Sequence, residues 1–184
     1  KKELGVDGVE GALASEVFTN SPAFKGGIKP GDYIIALNGK KVKNVNQLVR
    51  DVGLLKAGTT AKFSVIRGGK RINDLIIEIE ERVKDSEIQN SKMWPGFIAA
   101  PITEEIRKEL ELPSKVKGVI VTNIEEKTPA ASLRLQNGDI ITGVNGVSVD
   151  NLAEFYNELA AASKFINFDI YSNGGTITTG TYKF

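Results

Sequence analysis

The chain carries one sequence pattern twice, and this repetition limits the folds that are open to it. Ser-Pro-Ala, Gly-Asp and Asn-Gly begin at positions 21, 31 and 38, and 107 positions later stand Thr128-Pro129-Ala130, Gly138-Asp139 and Asn145-Gly146. A duplicated pattern in 184 residues predicts two small domains, each large enough for its own core. Chemistry that needs one convergent site is rarely doubled in this way, whereas a recognition site gains effective concentration from a linked second copy.

A polar stretch between the two repeats marks the predicted domain boundary. We expect a first domain at residues 1–82, a linker at 83–92 and a second domain at 93–184. The second repeat has an extra stretch from Thr103 to Leu112, which is typical of a capped amphipathic helix. The first repeat either has no such helix or lacks a segment between Val6 and Gly8.

Composition excludes several classes of function. The formal net charge is +1, from 24 basic and 23 acidic residues, so we expect no nucleic-acid partner. No apolar run reaches the length of a membrane-spanning helix, so we expect no membrane insertion. There is no cysteine and no histidine, so neither a thiolate metal site nor a Ser-His-Asp triad can be built from these residues. We expect no catalytic residue, no metal and no other cofactor in this chain.

Hydrophobic periodicity predicts the same order of strands and helices in both repeats. Ala12 to Phe18 indicates one short strand, and residues 33–37 indicate a buried strand that closes at an Asn-Gly turn. From Asn44, apolar residues at spacings of three and four predict a helix that ends before Gly58. Asn151 begins the matching helix of the second repeat. A two-stranded hairpin follows each helix.

These motifs together resemble a bacterial PDZ domain, present in tandem. In the first repeat the resemblance rests on Leu4-Gly5-Val6, Ser21-Pro22-Ala23, Gly27-Ile28-Lys29-Pro30-Gly31-Asp32-Tyr33-Ile34 and Leu37-Asn38-Gly39. In the second it rests on Pro95-Gly96-Phe97, Thr128-Pro129-Ala130-Ala131, Leu135-Gln136-Asn137-Gly138-Asp139-Ile140-Ile141 and Val144-Asn145-Gly146. The tandem arrangement and Glu3-Leu4-Gly5-Val6 are similar to the C-terminal half of the HtrA/Do (DegP-type) serine proteases.

The resemblance implies both a fold and a function. The fold is α+β, with two circularly permuted PDZ domains, each a small, partly open β-barrel or sandwich capped by helices. The function is binding of hydrophobic C-termini or extended segments by strand addition, in a periplasmic protease that acts in protein quality control. The implied partners are unfolded or misfolded proteins, peptide C-termini, the chain's own protease domain N-terminal to it, and further copies in a homo-oligomer.

The resemblance also assigns candidate peptide-binding residues in each repeat. In the first they are Glu3, Leu4, Gly5 and Val6 of the carboxylate loop and Val45, Val49 and Val52 of the helix. In the second they are Trp94, Pro95, Gly96, Phe97 and Ile98, with Leu152, Tyr156 and Leu159 of the helix. Leu48 and Phe155, on the same two helices, are expected in the core. For Trp94 two interpretations stay open, a side chain that flanks the pocket and one that covers an exposed edge.

Two other functions are compatible with the same residues. The chain can be a free-standing PDZ adaptor with no protease domain, or an element of oligomer assembly whose grooves hold no peptide. The short start of the first repeat favours the second alternative for that repeat.

Overall fold

The structure is a computed structural model that describes residues 1–81 and 92–184. Contacts within the chain divide it into two compact units, a first unit of residues 1–94 and a second unit of residues 95–184. The predicted linker, residues 83–92, lies outside the described residues except for Lys92.

The first unit begins with a 3-10 turn at Lys2–Leu4 and continues with strands and two helices. The elements in chain order are β1 (Ala12–Ala14), β2 (Val17–Phe18), α1 (Pro22–Lys25), β3 (Asp32–Leu37), β4 (Lys40–Lys41), α2 (Val45–Gly53), β5 (Thr60–Arg67), β6 (Lys70–Glu78) and β7 (Met93–Trp94). The predicted single strand from Ala12 to Phe18 is wrong in extent, because the chain leaves the sheet after β1 and pairs elsewhere as β2.

The second unit follows the same order from β9 onward, without counterparts of β2 and β7 and with two elements before it. Its elements are β8 (Ile98–Pro101), α3 (Glu104–Glu109), β9 (Val119–Thr122), α4 (Pro129–Ser132), β10 (Ile140–Val144), β11 (Val147–Ser148), α5 (Leu152–Ala161), β12 (Phe165–Ile166), β13 (Phe168–Ser172), β14 (Gly175–Thr178) and β15 (Tyr182–Lys183). The capped helix expected after Thr103 is confirmed as α3, whose first turn is held by the Thr103 side chain accepting from the Ile106 amide.

Each unit is built on one open antiparallel sheet. The strand order is β1-β3-β5-β6 in the first unit, with β4 paired to β3, and β8-β9-β10-β13-β14 in the second, with β11 paired to β10. Two smaller pairings, β2 with β7 and β12 with β15, complete the described strands. The α+β class is confirmed, and neither sheet closes into a barrel.

The repeated Asn-Gly dipeptides form the turns that the sequence predicts. Asn38 and Gly39 have φ of 49° and 78°, and the second copy of the turn has nearly the same values. The Asn38 side chain also accepts a hydrogen bond from the Lys62 amide at 2.8 Å, and Asn145 accepts one from the Asn167 amide at 2.8 Å. Asparagine recurs here because it tolerates positive φ and also ties the hairpin to the strand beyond the helix.

Both long helices start at asparagine, as expected. The Asn44 side chain accepts from the Gln47 amide and caps α2, and Asn151 does the same for the Glu154 amide in α5. Helix α2 ends earlier than expected, at Gly53 rather than near Gly58.

The two units fill their interiors differently. The first unit has an aliphatic core around Ile34, Val65 and Ile77, with Phe63 among them. The second unit packs Phe97, Phe155 and Phe168 together in tilted and edge-to-face arrangements, with ring centroids 5.9 to 6.3 Å apart. Aromatic pairs at these separations add to the free energy gained from burial alone.

A buried ion pair joins two strands of the first unit. Arg67 donates from Nε and Nη2 to the two carboxylate oxygens of Asp32, each at 2.7 Å, and its Nη2 also donates to the Gly27 carbonyl at 2.6 Å. Asp32 is fully buried and accepts a further bond from the Lys29 amide. The hydrogen bond to Asp32 raises the pKa of Arg67 above its ordinary value. In the second unit the matching acid, Asp139, accepts from the Gln136 amide.

Replacing Arg67 with methionine is expected to lower the free energy of unfolding of the first unit by about 3–5 kcal/mol, because the Asp32 carboxylate is left buried without its counter-charge. Urea denaturation followed by tryptophan fluorescence measures this directly, since Trp94 is the single tryptophan and lies buried in the first unit.

Arg71 provides the matched control. It is exposed on β6 and donates to Asn73 at 2.9 Å, so Arg71→Met is expected to change the same transition by less than about 0.5 kcal/mol. Equal shifts for the two variants would show that the ion pair contributes nothing specific to stability.

Candidate functional site

Strand β8 forms one edge of the second unit's sheet. It pairs on one side with β9, from Ile98 opposite Thr122 to Pro101 opposite Val119. On its other side no strand is paired within the described residues. A strand edge of this kind presents backbone donors and acceptors to which another extended chain can bind.

The loop before β8 is held against the start of α4. The Pro95 carbonyl accepts from the Ala130 amide at 3.1 Å, and the Gly96 carbonyl accepts from the Glu125 amide at 2.9 Å. Gly96 has a φ of 97°, and a Cβ placed on it would collide with the side chain of Thr128, the N-cap of α4. Glycine is therefore required at this position for both its backbone angle and its lack of a side chain.

Gly96 and Phe97 are buried residues, so a ligand reaches the amides of this loop only if the groups that cover them move. Within the part of the chain that the structure describes, neither the Gly96 nor the Phe97 amide donates a hydrogen bond. Pro95 has no amide hydrogen to offer. Two successive backbone N–H groups without a partner form a site suited to an anion such as a terminal carboxylate.

Helix α5 lies beside this edge. It packs against β8 and β10, and the candidate side chains Leu152, Tyr156 and Leu159 are buried, as is Phe155, which was expected in the core. Ile98 on β8 is exposed, whereas the loop residues before it are buried. The structure thus brings the predicted loop and helix residues together, with the helix face covered by the protein itself.

The equivalent loop of the first unit has a different hydrogen-bonding state. The amides of Leu4 and Val6 both donate to the Lys1 carbonyl, at 3.1 and 3.2 Å, and the Gly5 amide donates to the Lys2 carbonyl at 3.2 Å. Gly5 is exposed in a left-handed conformation, and Val6 is buried. Glu3 and Leu4 are half-buried. The three amides that would meet a carboxylate are used within the turn.

The helix of the first unit exposes its candidate side chains. Val45 and Val49 are largely accessible, while Val52 and Leu48 pack against the core. Helix α2 lies against β1, which is the edge strand of its sheet.

Trp94 lies with the first unit. Met93–Trp94 pairs with β2, placing Trp94 opposite Val17, and the pairing continues where the Thr19 amide donates to the Lys92 carbonyl at 2.8 Å. The Trp94 side chain is buried there. This placement agrees with the interpretation in which the indole covers a strand edge.

Comparisons with known proteins agree with this architecture. Residues 4–77 and residues 89–164 each match a family model described as PDZ domain. The chain belongs to the PDZ family, with two PDZ domains in tandem.

Curated relatives of the tandem are serine endoproteases. The chain is 32% identical over 176 residues to the periplasmic serine endoprotease DegP of Escherichia coli K12, which covers 96% of this chain and 35% of the relative. It is 34% identical over 169 residues to a probable periplasmic serine endoprotease DegP-like of Pseudomonas fluorescens, which covers 88% of this chain and 34% of that protein. The chain therefore spans about a third of the length of these relatives.

Among solved structures, an HtrA-type protease AlgW with tripeptide matches with a TM-score of 0.41 and 19% sequence identity. The match covers 83% of this chain and 58% of that chain.

A polar network fixes helix α2 of the first PDZ domain. Lys40 of β4 lies 3.2 Å from the Asp51 carboxylate, and Gln47 donates to the same carboxylate at 3.2 Å and to the Lys41 carbonyl at 3.1 Å. The hydrogen bond from Lys40 holds the pKa of Asp51 below its ordinary value. Asp51 therefore favours the folded state above its ordinary pKa, and this contribution is lost as pH falls through the lowered value.

Neither PDZ domain shows a metal centre or a membrane span in its described part. No group of three or more histidine, cysteine, aspartate or glutamate side chains converges among residues 1–81 and 92–184. None of the helices described combines the length and the apolar character needed to cross a bilayer.

Substituting alanine for Gly96 is expected to lower the free energy of unfolding of the second PDZ domain by about 2 kcal/mol or more, because the new Cβ collides with Thr128 and sits at a positive φ. Thermal unfolding followed by near-ultraviolet circular dichroism of the aromatic cluster measures the change.

Gly5 is the matched control. A Cβ at Gly5 meets nothing within 4 Å, so Gly5→Ala is expected to carry only the backbone cost of its left-handed conformation, about 1 kcal/mol. The close approach of Gly96 to Thr128 has no energetic importance if the two substitutions destabilise their domains equally.

Proposed function

We propose that this chain is the peptide-binding and regulatory PDZ tandem of an HtrA/Do-type serine endoprotease of the periplasm. Its ligands are hydrophobic C-termini or extended segments of unfolded and misfolded proteins. The observation that carries this proposal is the pair of amides at Gly96 and Phe97, which have no partner within the described residues and lie where the open edge of β8 begins.

The arrangement supports binding by strand addition. An extended peptide pairs with the free edge of β8, and its terminal carboxylate accepts from the Gly96 and Phe97 amides. Its last apolar side chain enters between the loop and α5, beside Leu152 and Tyr156. Because these two side chains are buried in the free domain, α5 has to move away from β8 as the peptide enters.

The free energies of the individual contacts favour weak binding at a single groove. Burial of one terminal Val, Leu or Phe contributes about 1.5–3 kcal/mol, and each of three or four backbone hydrogen bonds adds about 1 kcal/mol. Ordering the peptide and moving α5 oppose this. We expect a Kd of roughly micromolar at one groove, which suits a protein that holds one chain through several linked sites.

Catalysis belongs to another part of the protease. The chain contains no histidine and covers about a third of relatives that are named serine endoproteases. We propose that the protease domain lies N-terminal to the tandem, that the full protein forms a homo-oligomer, and that the tandem presents captured segments to the protease domain or regulates it.

One alternative has a specific observation in its favour. The buried face of α5, with Leu152, Tyr156 and Leu159 covered, fits a domain that assembles oligomers and holds no peptide. Peptide titration separates this alternative from the main proposal.

Titration of a ten-residue peptide ending in valine is expected to shift the amide resonances of Gly96 and Phe97, with a Kd of roughly micromolar for the free acid. The same peptide with an amidated C-terminus is expected to bind at least about tenfold more weakly, because it offers no anion to the two N–H groups. Nitrogen-15 nuclear magnetic resonance measures these shifts, and only the loop and β8 resonances need assignment.

The outcome contradicting the proposal is equal binding of the acid and the amide, or no shift at Gly96 and Phe97 with either. In the second case the assembly function is favoured. Resonances of the Gly5 turn serve as the internal control for non-specific effects of the peptide, since its amides already have intramolecular acceptors.

A further inference from the structure

The first PDZ domain leaves open the position that β8 fills in the second. Strand β1 pairs with β3 through Ala12 opposite Ile34, and β9 pairs with β10 through Val119 opposite Ile141, the same register displaced by 107 positions. The two strands are therefore equivalent. On its other side β9 carries β8, whereas β1 carries no strand within residues 1–81 and 92–94.

The helices beside these two strands differ in exposure, as expected if the first domain lacks a strand at the position of β8. In the second domain α5 packs against β8, and its Leu152 and Tyr156 are 6% and 5% exposed. The matching residues of α2, Val45 and Val49, are 53% and 66% exposed. Two neighbouring valines on one face of a helix, beside an unpaired strand edge, form an apolar strip with no cover in the described first domain.

The turn of the first domain that matches the Gly96 loop has no free amides for a terminal carboxylate. The amides of Leu4, Gly5 and Val6 already donate to carbonyl groups of the same turn. A ligand of this domain gains nothing from a free C-terminus unless the turn opens first.

The second domain shows what kind of segment fits the position. Its own strand runs antiparallel to β9, with Phe97 and Ala99 buried and Ile98 exposed between them. The ligand expected at β1 is therefore an extended segment with apolar residues at alternate positions. In a second copy of this chain β8 is already paired with β9. We therefore expect the segment to come from another polypeptide.

We propose that the β1 edge of the first PDZ domain accepts an extended apolar segment from the interior of a partner polypeptide, as an antiparallel strand in the place that β8 takes in the second domain. The segment covers Val45 and Val49. This inference rests on the proposed function and extends it in one respect, since the first domain binds internal segments and the second binds termini.

The test uses a synthetic peptide with the sequence of residues 94–101, acetylated at its N-terminus and prepared as the free acid and as the amide. Both forms are expected to bind the full chain with affinities within about twofold of each other, as measured by isothermal titration calorimetry. Val49→Asp is expected to weaken binding of the amide, which has no carboxylate for the second domain, by at least about tenfold, because the aspartate carboxylate would be covered by the apolar ligand.

Val147→Asp is the matched control. Val147 is 48% exposed on β11 of the second domain, so the substitution adds the same charge at a valine of similar exposure outside the strip. It is expected to leave binding of the peptide unchanged.

Three results would each overturn the proposal: no binding of either peptide form, binding of the free acid alone, or equal weakening by the two aspartate variants. A fourth contradicting result would come from sedimentation of the chain without peptide. If the chain is a dimer that Val49→Asp dissociates, the strip is covered by a second copy. These results are separable from the carboxylate test of the second domain, which uses the Gly96 and Phe97 resonances and is independent of Val49.

Discussion

The constraint on which this structure depends is that a β-strand has two hydrogen-bonding edges and both need partners. In each PDZ domain the central strand, β3 or β10, has both edges paired, and the sheet is open at its ends. One of those ends lies beside a helix, α2 or α5. Binding, as proposed, is the completion of that end by a chain that supplies the missing backbone groups.

The two domains also differ in which of their loop amides have hydrogen-bond acceptors. In the first, the loop amides at Gly5 and Val6 have acceptors within their own turn, and the helix face is open. In the second, the amides at Gly96 and Phe97 have none among the described residues, and the helix face is closed. One domain thus has an open helix face and the other has loop amides without a described acceptor, and this asymmetry motivates the proposal that they bind different parts of a polypeptide.

The two domains also stabilise one repeated motif in different ways. Asp32 and Asp139 stand at the same place and both accept a bond from a backbone amide three residues earlier. Among the residues that the structure describes, only Asp32 of these two receives a second partner, the guanidinium of Arg67. The ion pair compensates a carboxylate that is fully buried, whereas Asp139 is half-buried and retains contact with solvent.

Local signals in the sequence were sufficient for the turns, caps and helices. Asn38 and Asn145 take the positive φ of an Asn-Gly turn, and Asn44 and Asn151 cap helices, because these are properties of a few adjacent residues. The break between β1 and β2 was missed, since it depends on pairing with Met93–Trp94, far away in the chain.

The amino-acid sequence by itself determined that this is a tandem of two PDZ domains, because repeated motifs at a constant spacing identify the family and the order of its elements. Only the tertiary structure decided which candidate residues are accessible. Val49 and Tyr156 occupy the same helical position and have the same predicted role, yet one is exposed and the other buried. Exposure depends on whether a strand lies across the helix, and that is a property of the assembled sheet.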